Sequence, residues 1–191
     1  MPASRPFEIH RDDLPYCSRL GVRRLDQIDL VVIHCTELPD LATARQYGER
    51  IHHAETQTGN SGHFYVERAG RVEQWVPLER SAHHVRGYNE LSVGIELDNL
   101  GRYPDWFDSR CQDMDQAYTD IQIERLLALL EWLGAQLPKL AYISSHEVLD
   151  RTKVPSSDNP GTLVWRKRDP GPRFPWDEVL DQCELKFFEP D

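Results

Sequence analysis

Apolar residues fall in short blocks along this chain, and their spacing alternates between strand and helix periods. Ile28-Asp29-Leu30-Val31-Val32-Ile33 is nearly continuous and β-branched, which predicts a strand buried on both faces that delivers His34 at its end. Leu41, Ala44, Tyr47, Gly48 and Ile51 recur at helical spacing and predict a helix over residues 41–55. The turn-rich loop Thr58 to Gly62 follows. His63 to Val66 and Val72 to Val76 flank a turn containing Gly70 and predict a β-hairpin. Leu91 to Leu97 reads as another strand, with Val93, Ile95 and Leu97 on one face and Ser92, Gly94 and Glu96 on the other.

After a polar, acidic loop over 99–118, Thr119 opens the best-defined helix. Thr119 and Gln122 fit a capping box, each side chain serving the other residue's backbone N–H. Ile123, Leu126, Leu127, Leu130, Leu133 and Leu137 form its apolar stripe, and Pro138 marks its end. Leu140 to Ser144 predicts a short strand close to His146, residues 148–175 a long loop, and Trp176 to Cys183 a last short helix. Interspersed strands and helices with one hairpin argue for a mixed α/β fold, a central mixed β-sheet flanked by helices. Residues 1–26 are polar and proline-bearing, and are expected as an arm packed on a single domain spanning 27–191.

Composition narrows the function classes. The chain has 191 residues, enough for one domain with a proper core. Its longest apolar runs are far too short to cross a bilayer, and the first residues lack an apolar segment of the signal type, so the expected compartment is the cytoplasm. A formal net charge of -10 disfavours nucleic acid and acidic wall polymers as partners, while Arg166-Lys167-Arg168 is the candidate for a locally basic cleft. Cys17, Cys35, Cys111 and Cys183 are scattered without a Cys-x-x-Cys pair, so reduced thiols are expected.

Three residues carry the candidate chemistry. His34 and His146 each follow an apolar stretch, and Asp169 sits in Lys167-Arg168-Asp169-Pro170-Gly171-Pro172. Two imidazoles and a carboxylate make a three-ligand zinc set with a fourth position open, and Lys167 can point at the same place. Each also has an ordinary reading, as strand-end polar residues and a turn-initiating aspartate, and no short metal signature joins them.

The chain resembles the zinc-dependent N-acetylmuramoyl-L-alanine amidases, the family that includes the peptidoglycan recognition proteins and phage amidases. The resemblance lies in Val31-Val32-Ile33-His34, Gly62-His63-Phe64, Ser92 to Leu97, Ala117 to Asp120, Ser145-His146 and Lys167 to Pro172, and spans roughly residues 28–180. It implies a hydrolase, acting on a small muropeptide, with Zn2+ held by His34, His146 and Asp169. It further implies that Glu96 moves the proton, as in the cytoplasmic branch that acts on anhydromuramyl peptides in wall recycling, and that Lys167 faces the reacting carbonyl. The phage and recognition-protein branch usually has a tyrosine just before the hairpin histidine, where this chain has Gly62. His83 and Asn89 resemble substrate-contact residues; as ordinary residues they would be a loop histidine and a turn former. His63 is expected to pack in support of the metal site, and His52 and His53 to lie on a helix surface. Trp75 and Trp165 are candidates for stacking on sugar rings, with core packing the alternative for Trp75. The 154–164 segment and the loop around Asp105 to Asp115 depart from the family pattern and are expected to border the cleft. Two other readings stand beside the recycling enzyme: a muramyl-peptide binding module without catalysis, and a lysin of intact wall.

Overall fold

The computed structural model describes residues 7–190; the first six residues of the expected arm and Asp191 lie outside them. In chain order the elements are β1 (Ile9–Arg11), β2 (Leu30–Cys35), α1 (Leu41–Gly48), β3 (Phe64–Val66), β4 (Val72–Gln74), β5 (Ser92–Leu97), α2 (Asp120–Gln136), β6 (Tyr142–Ser145), α3 (His146–Leu149), β7 (Lys153–Pro155), β8 (Leu163–Trp165), α4 (Trp176–Gln182) and β9 (Lys186–Phe187). A seven-stranded sheet runs β1-β4-β3-β5-β2-β6-β9. Its pairs are parallel apart from the β3–β4 hairpin, so the fold is mixed α/β with a mostly parallel sheet.

The β2 run is buried at every position, as its unbroken apolar pattern requires of a central parallel strand. Val31 and Ile33 pack with Val93, Ile95, Leu97 and Ile143 against α2. Leu30 and Val32 face the other way, toward Val85. His34 follows Val32 by two residues and shares that second face. In register, His34 lies beside Glu96 of β5, and Glu96 beside Tyr65 of β3. The site is therefore built on the face turned away from α2.

Helix α2 starts where the capping box places it. Thr119 Oγ1 accepts from Gln122 N at 3.2 Å, and Gln122 Oε1 accepts from Thr119 N at 3.1 Å. The buried Gln122 amide also donates to the carbonyls of Val66 and Asp98, tying the helix start to the ends of β3 and β5. Leu126, Leu129 and Leu133 are fully buried, each worth about 1.5–3 kcal/mol of apolar burial. Leu129 takes the core place expected of Leu127, which is only partly buried. The β3–β4 turn has Gly70 at φ +85°, where a Cβ would also meet Ile121 Cγ1 at 2.5 Å.

Three expectations change. Helix α1 stops at Gly48 rather than running to 55, so His52 and His53 sit on a loop and not on a helix surface. Its backbone closes instead on a β-bridge between His53 and Thr58. The 148–175 loop contains a small antiparallel pair, β7–β8. The N-terminal segment contributes β1 as an edge strand beside β4, and Tyr16 Oη donates to Gly48 O at 2.6 Å. Among the described residues, no helix is long and apolar enough to cross a membrane.

Candidate active site and metal centre

His34 comes from the penultimate position of β2, and His146 is the first residue of α3. Ser145 caps that helix, its Oγ accepting from Val148 N at 3.2 Å, which fixes the turn that aims His146 inward. Asp169 reaches the same point from the Pro/Gly loop, and its own carbonyl accepts from Glu147 N at 3.1 Å. His34 Nδ1 lies 2.9 Å from His146 Nδ1 and 2.9 Å from Asp169 Oδ2, and His146 Nδ1 lies 3.0 Å from the same Oδ2. All three residues are buried. Strand register, a helix cap and a loop-to-helix hydrogen bond thus bring together side chains that are remote in sequence.

These three groups fit a metal ion. Two donors each about 2.0–2.1 Å from one tetrahedral ion lie roughly 3.3 Å apart, close to the spacings seen. Asp169 Oδ1 is buried and lacks a hydrogen-bond partner, a cost that a cation beside the carboxylate offsets. Burial opposes the Asp169 charge, yet His146, His34 and Lys167 outweigh it and hold the carboxyl well below its ordinary range. His146 is pushed down by burial, against the pull of Asp169, toward the neutral form that ligates metal.

These three residues open into a cleft of about 530 Å³ that Glu96 and Lys167 also line. Burial pushes the Glu96 carboxyl up to about 7; Asp169 and Glu37 add to the rise, while His34 and Lys167 oppose it. Gly62 makes room for this side chain: a Cβ there would lie 2.8 Å from Glu96 Cγ. Tyr65 and Trp75 stack behind it with ring centroids 3.5 Å apart, and Trp75 is fully buried, so it is a core residue.

The other sequence candidates sit further out. His83 is on the rim, its ring 4.3 Å from that of His53. Asn89 lies in an adjoining groove of about 360 Å³ with Arg86 and Arg166. Its Oδ1 is engaged with the backbone, accepting from His84 N at 3.0 Å and Val85 N at 2.8 Å. Trp165 does not line the cleft; Lys153 lies over its ring at 4.3 Å. The aromatic wall is Trp106 and Phe107, with Tyr47, from the loop that departs from the family pattern and from α1. Trp106 Nε1 donates to Glu37 O at 3.0 Å. The 154–164 segment braces that wall from behind: Ser157 N donates to Phe107 O, and Asp158 accepts from Ser109 N and Oγ.

Sequence reasoning missed two supporting groups. His84, next to His83, is buried and lies 3.0 Å from His34 Nε2. Only its Ala-His-His context marked it. The second is the buried ion pair of Arg102 with Glu37, at 2.7 and 2.8 Å. Arg102 Nη1 also donates to Trp165 O at 2.8 Å, anchoring the chain just before Lys167.

Residues 24–172 match the family model described as N-acetylmuramoyl-L-alanine amidase. The chain is 31% identical over 124 residues to a 1,6-anhydro-N-acetylmuramyl-L-alanine amidase, AmpD, of Salmonella typhimurium strain LT2, covering 61% of this chain and 53% of that protein. It spans about half the length of the curated relatives of this kind that it matches. Among solved structures it is similar to the amidase LysC of Clostridium intestinale, with TM-score 0.66 and 18% identity over 95% of this chain and all of that one. It is also similar to the E. coli amidase AmiD in complex with anhydro-N-acetylmuramic acid-L-Ala-D-gamma-Glu-L-Lys, with TM-score 0.61, 23% identity, and coverage of 82% and 57%. With the family model spanning strands β2 to β6 of the sheet, the capped helix and all three converging residues, the chain belongs to the N-acetylmuramoyl-L-alanine amidase family.

Proposed function

We propose that this protein is a zinc hydrolase. It cleaves the amide between the lactyl group of (anhydro-)N-acetylmuramic acid and L-alanine in released peptidoglycan fragments, in cytoplasmic wall recycling. The observation that carries this reading is the meeting of His34, His146 and Asp169 at the floor of a cleft shared by Glu96 and Lys167. Two imidazoles and a carboxylate suit zinc, which when bound acidifies a water and polarises a carbonyl oxygen.

The chain's own residues supply the rest. Glu96 takes the proton from the attacking water on its carboxylate and returns it to the leaving amine nitrogen. Burial raises this carboxyl from its ordinary value, which helps it keep the proton between the two transfers, while a bound cation beside it would oppose that rise. Lys167 Nζ holds the carbonyl oxygen as it gains charge, a role worth about 3–4 kcal/mol for a well-placed donor. The ring of Phe107, 40% exposed, and that of Trp106 offer an apolar surface for a sugar face. His83 on the rim is suited to contact the substrate, whereas Asn89 acts mainly by bracing the loop that carries it.

The net charge of -10 supports a small fragment rather than the acidic wall polymer as substrate. Four free cysteines support a reducing compartment. The test is hydrolysis of an anhydromuramyl tripeptide and of intact sacculi, each with and without chelator. The expected result is free tripeptide from the fragment, lost with chelator and restored by Zn2+. Cleavage of sacculi alone would assign a lysin, and binding without cleavage of either would assign a recognition module.

A further inference from the structure

We infer that His84, held by Ser92, is a positioning residue that fixes the tautomer and ring orientation of His34, and so selects the nitrogen that His34 turns to a metal. This rests on the metal reading above, but it concerns a residue to which that reading gives no role.

The assignment follows from counting protons along a chain of contacts. Ser92 Oγ lies 2.7 Å from Tyr88 O. A carbonyl only accepts, so the single hydroxyl proton is committed there. At its other contact, 3.2 Å from His84 Nε2, Ser92 can then only accept, and Nε2 must carry the proton. The His84 ring is buried against the imidazoles of His34 and His63, surroundings that favour a neutral ring. A neutral ring protonated on Nε2 has a lone pair on Nδ1. That lone pair lies 3.0 Å from His34 Nε2, which therefore donates. His34 is left with its lone pair on Nδ1, the atom that faces His146 and Asp169. Every proton is placed by an acceptor at the far end that cannot reverse.

The surroundings hold this chain of contacts in place. Gly94 sits beneath the His84 ring, where a Cβ would lie 2.6 Å from its Cγ and 2.7 Å from its Nδ1. The polar face of β5 thus has three uses in six residues: Ser92 anchors the ring, Gly94 makes room for it, and Glu96 faces the cleft. Asn89 Oδ1 fixes the His84 backbone from one side. Arg23, from the N-terminal segment, holds the two residues that contact His84, donating to the carbonyls of Asn89 at 2.8 Å and Ser92 at 2.6 Å. A ligating histidine whose second nitrogen is bound in this way binds metal more tightly, typically by 10–100-fold.

The test measures Zn2+ affinity, by competition with a chromogenic chelator, for the unaltered protein, His84→Leu and His84→Asn. It adds 15N spectra of the zinc-loaded, unaltered protein. His84→Leu should weaken zinc binding about tenfold to a hundredfold, while His84→Asn, whose Oδ1 can replace the Nδ1 acceptor, should stay within about threefold. The spectra should show a proton on His34 Nε2 coupled across the hydrogen bond to an unprotonated His84 Nδ1. Zinc affinity in His84→Leu within about threefold of the unaltered protein, even with a lowered melting temperature, would overturn the inference, because that is what a purely structural residue would give. So would a proton found on His84 Nδ1, a result that needs no variant to fold. An unaltered protein that takes up no Zn2+ would overturn the metal reading itself, a distinguishable outcome.

Discussion

Glu96→Gln should destroy activity and, in the metal-free protein, raise stability in a pH-dependent way. Burial pushes the folded carboxyl to about 7 from an ordinary 4.5. That difference corresponds to about 3 kcal/mol between its two protonation states. The folded value lies above the unfolded one, so folding favours the protonated form. The penalty is absent below about pH 4.5, grows as pH rises, and is complete above about pH 7. Glutamine keeps the shape and is neutral throughout. The assay is denaturant unfolding of chelator-treated protein, followed by tryptophan fluorescence, at pH 5 and pH 8. At pH 8 the Gln variant should be more stable by about 3 kcal/mol, and at pH 5 by less than about 1 kcal/mol. Chelator matters, because a bound cation would pull the carboxyl pKa down. The zinc-loaded variant should retain its metal and lose about 10²–10⁴ in turnover. Equal pH dependence in the two proteins would refute the desolvation argument, and normal turnover would refute the proton-transfer role.

Three further substitutions test the neighbours. Lys167→Met should lower kcat about 10²–10³-fold with zinc content unchanged; an effect confined to KM would remove its role at the carbonyl oxygen. Gly62→Ala should push Glu96 aside, lowering kcat and costing about 1–3 kcal/mol of stability by overpacking, while zinc stoichiometry holds; unchanged kcat would refute it. Arg102→Met leaves buried Glu37 without its partner and should cost about 3–5 kcal/mol in unfolding free energy, with a loss below 1 kcal/mol counting against the ion pair as an anchor.

Most of the sheet could be read from the chain because its strands announce themselves by burial. The unbroken apolar run of β2, the alternation in β5 and the hairpin around Gly70 all appear where the pattern puts them. The Thr119–Gln122 capping box located the start of α2 to the residue. What escaped was structure made by tertiary contacts rather than by period. β1 is polar and only three residues long, so nothing in its sequence distinguishes it from coil; it pairs because β4 leaves an edge open. Helix α1 ends about two turns short of 55 although Ile51 kept the period, because the Ile51 side chain had no core to enter and is 45% exposed.

Residue types alone made His34, His146 and Asp169 a candidate metal set, and resemblance was needed to prefer that reading, since their spacing carries no local signature. Their supports were harder still. His84 looks like its neighbour His83 in sequence, and only the register of β5, with Ser92 and Gly94 beneath it, separates a buried ring from a rim residue. Arg102 sits in a loop read as polar and acidic, where an arginine draws no notice until Glu37 is found beside it.

The 2.8 Å between a Cβ at position 62 and Glu96 Cγ constrains how such proteins can diverge. A large side chain at 62 and a long acid at 96 compete for one volume, so enlarging either is harmful while the other is large. Passage between a lineage with an aromatic residue at the first place and one with an acid at the second must cross an ancestor small at both. The order of changes is thereby set by sterics rather than by chemistry, and single-residue grafts between the two lineages should fail where paired grafts succeed.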